Sequence, residues 1–302
     1  MDGILAIWKP EGWTSHDVVA KSRRLLGMKR IGHAGTLDPM VTGVLPLCLG
    51  RSTRVVEYIQ DRPKAYEATI CLGVATDTED MTGEIVESVE SVRVSESDIK
   101  EVLKQFIGDI EQIPPMYSAV KVDGKRLYEL AREGKSIERK ARKVTIHQIE
   151  LLSLDLEKKH PQFTFSVLCS KGTYIRTLCV DIGKALGVPA AMASLVRTMS
   201  GGIVKEQCVT LEQVEEHMQR GTIEQILVSP AQAIDHIPAT TVKEVKRKYA
   251  IQGQKLYWSD INGHQELEDG SIVRVFDEDG IFLGIFQLDK KHNIVLPIKV
   301  FS

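Results

Sequence analysis

The chain has 302 residues, 43% hydrophobic and 26% charged, with a formal net charge of −2, which excludes a disordered or fibrous chain and allows one large core or two domains. No stretch approaches the roughly 18 consecutive apolar residues of a membrane span. The start, Met-Asp-Gly-Ile-Leu-Ala-Ile-Trp-Lys, lacks the basic n-region and long apolar run of a signal peptide, so a cytoplasmic protein is expected.

Residues 3–8 read as a strand. Residues 15–26 read as a helix with Val18, Val19, Leu25 and Leu26 inward and Gly27 as terminator. The most constrained stretch follows: Gly32-His33-Ala34-Gly35-Thr36-Leu37-Asp38-Pro39, then Val41-Thr42-Gly43-Val44-Leu45-Pro46-Leu47. Its glycines permit backbone angles or close approaches that a Cβ would block, while Pro39 fixes its own φ and pushes Asp38 towards an extended conformation. Asp38 is thereby presented rather than merely solvated, although Asp-Pro and Gly-Thr pairs also make ordinary turns. The glycines fit neither a P-loop, for want of Gly-Lys-Ser/Thr, nor the Gly-x-Gly-x-x-Gly spacing.

Further on, residues 66–74 read as a strand, and Asp77-Thr78-Glu79-Asp80-Met81-Thr82-Gly83 reads as a solvated acidic turn without the spacing or distal Glu of a calcium loop. Ser97 can cap a helix carrying Ile99, Val102, Leu103, Phe106 and Ile107 on one face, stopped by Gly108. The segment 117–143 alternates basic and small residues: Lys121, Lys125, Arg126, Arg132, Lys135, Arg139, Lys140, Arg142 and Lys143, with Gly124 and Gly134 supplying freedom. Taken alone it is a charged hairpin and helix. Strands are expected at 145–152 and at 162–169, where Phe163, Phe165, Val167 and Cys169 alternate with polar or smaller partners.

After Ser170-Lys171-Gly172, Thr173 can cap a helix containing Ile175, Leu178, Ile182, Ala185 and Leu186, which puts Tyr174 and Arg176 in its first turn. A cation there opposes the helix dipole, so Arg176 is expected either to answer a carboxylate outside the helix or to lie on the surface. A boundary near 234–238 precedes a small β-rich module, in which Val273, Val275, Ile281, Leu283, Ile285, Val295 and Ile298 mark short strands and Asp269-Gly270 and Asp279-Gly280 mark turns. Strands and helices together predict an α+β fold.

Five cysteines, at 48, 71, 169, 179 and 208, include no Cys-x-x-Cys pair, and Cys71 and Cys169 fall in alternating apolar stretches typical of buried strands. The eight histidines show no ligand spacing. No disulfide, zinc or other metal is expected. The near-neutral total hides a segregation: +4 over residues 1–65, −9 over 66–112 and +5 over 113–145. Two basic segments flanking the Asp38 loop suit a polyanionic substrate.

Collinear motifs then identify a resemblance. Trp8-Lys9-Pro10-Glu11-Gly12-Trp13-Thr14-Ser15, the stretch from Gly32 to Pro46, Thr76-Asp77-Thr78-Glu79-Asp80, Pro114-Pro115-Met116-Tyr117-Ser118-Ala119-Val120-Lys121, Lys171-Gly172-Thr173-Tyr174-Ile175-Arg176-Thr177 and Leu195-Val196-Arg197-Thr198 resemble the bacterial tRNA pseudouridine synthases of the TruB type, over nearly all of residues 1 to about 235. The resemblance implies a catalytic domain, residues 1–236, on a mixed, mainly antiparallel sheet, followed by a PUA-like RNA-binding domain, residues 237–302. It implies isomerisation of uridine 55 in the TΨC loop, with Asp38 as essential nucleophile or base. By the same resemblance Arg176 pairs with Asp38, and Asp80 is a second acidic partner.

A guanidinium favours an ionised carboxylate beside it and can hold both of its oxygens through parallel hydrogen bonds. The resemblance further implies that Tyr66 stacks on the base and is a candidate to take the C5 proton, while Tyr174 and Leu195 pack around base and ribose. It makes His33 a wedge filling the gap left by the extracted uridine. Lys9 and Arg197 either support the catalytic loop or touch phosphate. Segment 117–143 becomes a mobile thumb that grips the T arm of tRNA and orders on binding. No cofactor is implied; the expected partner is tRNA, and the expected state is a monomer without an obligate protein partner. A non-catalytic RNA-binding protein would share the charge pattern, but Asp38, Tyr66, Asp80, Tyr174, Arg176 and Leu195 together favour an enzyme. A glycoside hydrolase would need a second catalytic carboxylate rather than an Arg partner.

Overall fold

A computed structural model describes the chain apart from residues 119, 123, 136, 263–266 and 302 and the side chains of residues 121 and 132. Its larger sheet has ten strands. In spatial order the main path is Leu227–Val228, Gly3–Lys9, Thr42–Leu49, Ala190–Ser200, Lys64–Leu72, Gln162–Cys169, Arg142–Asp155 and Gly108–Gln112; Ile31–His33 and Ile203–Val204 pair beside it. Pairing is antiparallel except between Thr42–Leu49 and Ala190–Ser200, which run parallel through Val196 opposite Thr42 and Arg197 opposite Gly43. That mixed, mainly antiparallel sheet is the expected one.

The two faces of the sheet explain the sequence pattern. Gly3–Lys9 and Thr42–Leu49 are buried almost throughout, because helices Ser15–Leu25 and Leu211–Arg220 add one apolar cluster over Leu5, Ile7, Leu45 and Leu47 while a second forms around Ile4, Ala6, Val44 and Cys48. A strand covered on both sides reads as a continuous apolar run rather than an alternating one. Farther along, helices Glu96–Gln105 and Ile175–Ala185 cover Ile70, Ile146, Phe163 and Phe165. Gln162–Cys169 alternates as expected, and Cys71 and Cys169 are buried.

Several boundaries differ for local reasons. Helix Ser15–Leu25 is capped by Thr14, whose hydroxyl oxygen accepts from Asp17 N–H while the Asp17 carboxylate accepts from Thr14 N–H; Gly27 ends the helix with φ 60°. The next cap is Ser95 rather than Ser97, because Ser95 forms the reciprocal pair with Asp98 three residues on. Ile107 lies past that helix and is exposed, and Gly108 opens a strand. Thr173 is not a cap; its hydroxyl donates to the Ser170 carbonyl, and Tyr174 takes the N-cap position. Ala185 faces solvent. The expected strand at 66–74 is Lys64–Leu72, and Val74–Thr76 leaves it to pair with Ile85–Ser88.

A second sheet of six strands, drawn from Ala239–Val242 to Ile294–Val300, encloses its own core around Val242, Val273, Val275, Leu283, Phe286 and Val295. Ile281, expected in a strand, precedes Phe282–Asp289 and is exposed. Ile285 from this sheet packs with Ile234 and Ile237, and the Arg274 guanidinium donates to the carbonyls of Ala231, Asp235 and Ile237. In the basic segment, Lys121–Val122 pairs with Lys125–Arg126, and Leu127–Arg132 is helical. The Lys121 and Arg132 side chains expected there lie outside the described residues.

Candidate active site

The loop around Asp38 is shaped from beneath by two buried cations. Arg197, 1% exposed, donates from Nε to the Val44 carbonyl at 2.8 Å, from Nη1 to Thr36 at 3.3 Å and from Nη2 to Gly35 at 3.2 Å. Lys9, 0% exposed, donates from Nζ to the carbonyls of Pro10, Trp13 and Pro39 at 2.8, 2.6 and 3.1 Å. The two therefore grip the chain on both sides of Asp38. The parallel register explains Gly43: its φ is 117°, and a Cβ there would overlap the Arg197 backbone carbonyl.

Ser15 completes this support, accepting from Leu37 N–H at 2.9 Å and donating to the Leu37 carbonyl at 3.3 Å. Burial lowers the Lys9 ammonium to about 8, partly countered by the Asp38 charge. Lys9 and Arg197 were expected either to support the loop or to touch phosphate, and both contact the loop backbone here. Their donors are buried and turned onto backbone carbonyls.

Above this support the predicted ion pair is present. Arg176 Nη2 stands 3.0 Å from Asp38 Oδ2, and Nη1 stands 3.7 Å from Asp80 Oδ2. The Arg176 side chain is 8% exposed, Asp80 16% and Asp38 45%, so the half-open carboxylate is Asp38. The guanidinium also donates to the carbonyls of Tyr117 at 2.7 Å and Thr78 at 3.1 Å. The guanidinium is thus divided among two carboxylates and two carbonyls.

Asp80 is no solvated turn residue. Its Oδ1 accepts from Thr82 N–H at 3.0 Å and from Thr78 Oγ1 at 2.9 Å. The turn is pinned further by Glu79, whose φ is 66°, whose carbonyl accepts from Met192 N–H, and whose carboxylate accepts from Thr177 Oγ1 at 2.6 Å. Burial raises the Glu79 pKa, opposed by the Thr177 hydrogen bond and the Arg176 charge.

Tyr66 and Leu195 join Leu37 and Val41, the apolar neighbours of Asp38, in one buried cluster. Tyr66 lies opposite Arg197 in the sheet, and burial raises the phenol's pKa, opposed by the Arg197 charge. Tyr174 is half-buried at the start of the Arg176 helix. His33 ends the strand leading into the loop, with its ring 5.5 Å from that of His16 and edge-on to it. Burial, and then the neighbouring His16, lower the His33 pKa.

Ser15, Glu79, Thr177 and Gln112 were not singled out by sequence reasoning. Of these, Ser15, Glu79 and Thr177 lie within the motifs quoted above, whereas Gln112 lies in none. Among the described residues no three His, Cys, Asp or Glu side chains converge as metal ligands would.

Residues 23–175 match the TruB family pseudouridylate synthase N-terminal domain, and residues 176–236 match the tRNA pseudouridylate synthase B C-terminal domain. The chain belongs to the TruB family of pseudouridylate synthases. A tRNA pseudouridine synthase B of Bacillus pumilus is 46% identical over 305 residues, covering 100% of this chain and 98% of that one. Another of that name, from Geobacillus thermodenitrificans, is 45% identical over the whole of both chains. Among solved structures, a Cbf5-Nop10-Gar1 complex aligns at a TM-score of 0.78 and 28% identity, covering 99% of this chain and 84% of that one. An H/ACA RNP bound to a substrate RNA containing 2′-deoxyuridine aligns at 0.76 and 26%, covering 99% and 85%. The likeness to that complex thus runs through the second sheet, beyond the segment the two domain descriptions match.

Proposed function

We propose that this member of the family converts uridine 55 in the TΨC loop of tRNA to pseudouridine, with Asp38 as the group that starts the reaction. The C1′–N1 bond breaks, the uracil turns within the site, C5 bonds to C1′, and the proton lost from C5 is matched by one gained at N1. Atom count and redox state are unchanged, so the reaction calls for no external oxidant or cofactor. A base paired or stacked within the T arm must first be extruded.

The observation carrying this reading is the half-exposed Asp38 carboxylate, 3.0 Å from a buried guanidinium and set in a loop held on both sides by buried cations. Asp38 begins the reaction by attack at C1′ or C6 or by taking the 2′ proton. Tyr66 and Leu195 supply the apolar wall for the base, Tyr174 flanks base and ribose, and His33 fills the vacated stack. Tyr66 is also the candidate acceptor for the C5 proton. Stacking of a splayed base on an aromatic ring contributes about 1–3 kcal/mol by truncation.

In this reading segment 117–143 is the thumb that closes on the T arm, and residues 237–302 form a PUA-like domain extending the RNA footprint of domain 1–236. The enzyme acts in the cytosol as a monomer without an obligate protein partner. Tritium release from C5-labelled uridine in tRNA is the test. Wild-type protein should release label and Asp38→Asn should not, while tRNA affinity and fold persist. Appreciable turnover by Asp38→Asn would refute the assignment, free uracil would indicate a hydrolase, and tight binding without release by wild type would leave an RNA-binding protein.

A further inference from the structure

The basic segment and the catalytic helix meet at one buried amide. Gln112, the last residue of strand Gly108–Gln112 and 1% exposed, accepts from Tyr174 N–H at 3.0 Å through Oε1 and donates from Nε2 to the Tyr174 carbonyl at 3.2 Å. Tyr174 has extended backbone, φ −96° and ψ 108°, and no side chain caps the helix there. The Gln112 side chain therefore pairs with Tyr174 as a neighbouring strand would, engaging both backbone groups at the point where the chain turns into the helix.

Arg176 follows two residues later. Five residues after Gln112, the Tyr117 carbonyl accepts from Arg176 Nη2 at 2.7 Å, the nitrogen that also faces Asp38. Between the two anchors lie Pro114 and Pro115, both buried, which restrict the backbone of residues 113–115. The Arg139 guanidinium returns from the far end of the basic segment to the Pro114 carbonyl at 3.0 Å. Residues 112–117 thus form a stiff bracket with one end on Tyr174 and the other on Arg176, and it is the root from which the basic segment leaves the sheet.

We infer that Gln112 is a positioning residue for the reaction: its amide sets Tyr174 and the start of the Arg176 helix against Asp38, and ties both to the root of the segment that grips RNA. This rests on the uridine isomerisation proposed above. Gln112 touches neither Asp38 nor any reacting atom. A displacement of about 1 Å in a group aligned by such a contact costs on the order of a hundredfold in rate. The loss should fall on the chemical step, since a buried amide makes no contact with phosphate.

Single-turnover pseudouridine formation and tRNA affinity should be measured for wild type, Gln112→Met and Gln112→Glu across a range of pH. Met keeps the bulk and loses both hydrogen bonds, so a rate loss of about a hundredfold is expected with affinity within about twofold of wild type. Glu accepts from Tyr174 N–H but regains the donor to the carbonyl only when protonated, and burial favours that form. The ratio of Gln112→Glu to wild-type rate should therefore rise as pH falls, which loss of packing would not produce. A wild-type rate in Gln112→Met, or a flat ratio for Gln112→Glu, would overturn the inference; if Gln112→Met does not fold, the ratio alone decides. A wild type that forms no pseudouridine would instead refute the proposed function.

Discussion

Replacing Arg197 decides whether this cation serves the loop or the RNA. Arg197→Met strands the carbonyls of Gly35, Thr36 and Val44 in a site where the guanidinium is 1% exposed. Each buried acceptor left unpaired costs about 1–3 kcal/mol. Part of that is offset because the buried guanidinium no longer has to be desolvated. The net loss should be about 3 kcal/mol of stability, together with a fall in turnover of about a hundredfold as the Asp38 loop shifts. Arg197→Lys should fall between, since one ammonium cannot reproduce bonds made by Nε, Nη1 and Nη2 in different directions. Urea unfolding and tritium release measure both quantities. The salt dependence of tRNA binding should not change, whereas a phosphate contact would lower the slope by about 0.7–0.9. Wild-type stability and turnover in Arg197→Met, or a reduced slope, would refute the loop-support account.

Gly43→Ala should destabilise by about 3 kcal/mol or more, combining the cost of φ near 117° with overlap on the Arg197 backbone; an unchanged urea midpoint would mean the parallel strands part easily. Lys9 carries a pH signature, because its native pKa of about 8 lies below the ordinary 10.5. Between those values the unfolded chain holds the extra proton, so the penalty for burying charged Lys9 is relieved as pH rises. The stability of wild type relative to Lys9→Met should therefore increase from pH 8 to 10.5; Lys64, also near 8, cancels in that comparison, and a constant or narrowing difference contradicts the assignment. In the basic segment, Lys140 and Arg142 are exposed. Changing both to Gln should weaken tRNA binding and reduce the salt slope by up to about 1.5, and an unchanged slope removes this stretch from the RNA interface.

What could be read in advance depended on the range over which each residue's partner lies. The Ser15–Leu25 helix and the alternating Gln162–Cys169 strand follow from neighbours a few residues apart. Even the correct cap of Glu96–Gln105 was legible, since Ser95 has Asp98 three positions on whereas Ser97 has Lys100. Ala190–Ser200 was harder: Ala-Ala-Met-Ala has no strand alternation, and the strand lies between two others in the sheet. It nevertheless carries Leu195 and Arg197. Gln112 and Glu79 pair with Tyr174 and Thr177, separated by 62 and 98 residues, and nothing local to either polar side chain marks its partner. The pairing of Asp38 with Arg176 came from the resemblance, because a cation in the first turn of a helix identifies no particular carboxylate.

The division of the Arg176 guanidinium bears on why Asp38 is available for reaction. A fork of two parallel bonds to one carboxylate is the stronger contact, but it would engage both oxygens of the group proposed to attack. Here Nη1 is drawn towards Asp80 and Thr78, while Nη2 is shared between Asp38 and the Tyr117 carbonyl. Arg176 meets Asp38 at Oδ2, 3.0 Å from Nη2, and the carboxylate keeps 45% of its side chain exposed. Asp80 is itself held by Thr78 and Thr82, which fixes the direction of the competing pull. The loop backbone has separate cations in Lys9 and Arg197, so Arg176 carries no part of the task of shaping it. One guanidinium can then hold the attacking acid without enclosing it, because the work of folding the loop is assigned elsewhere.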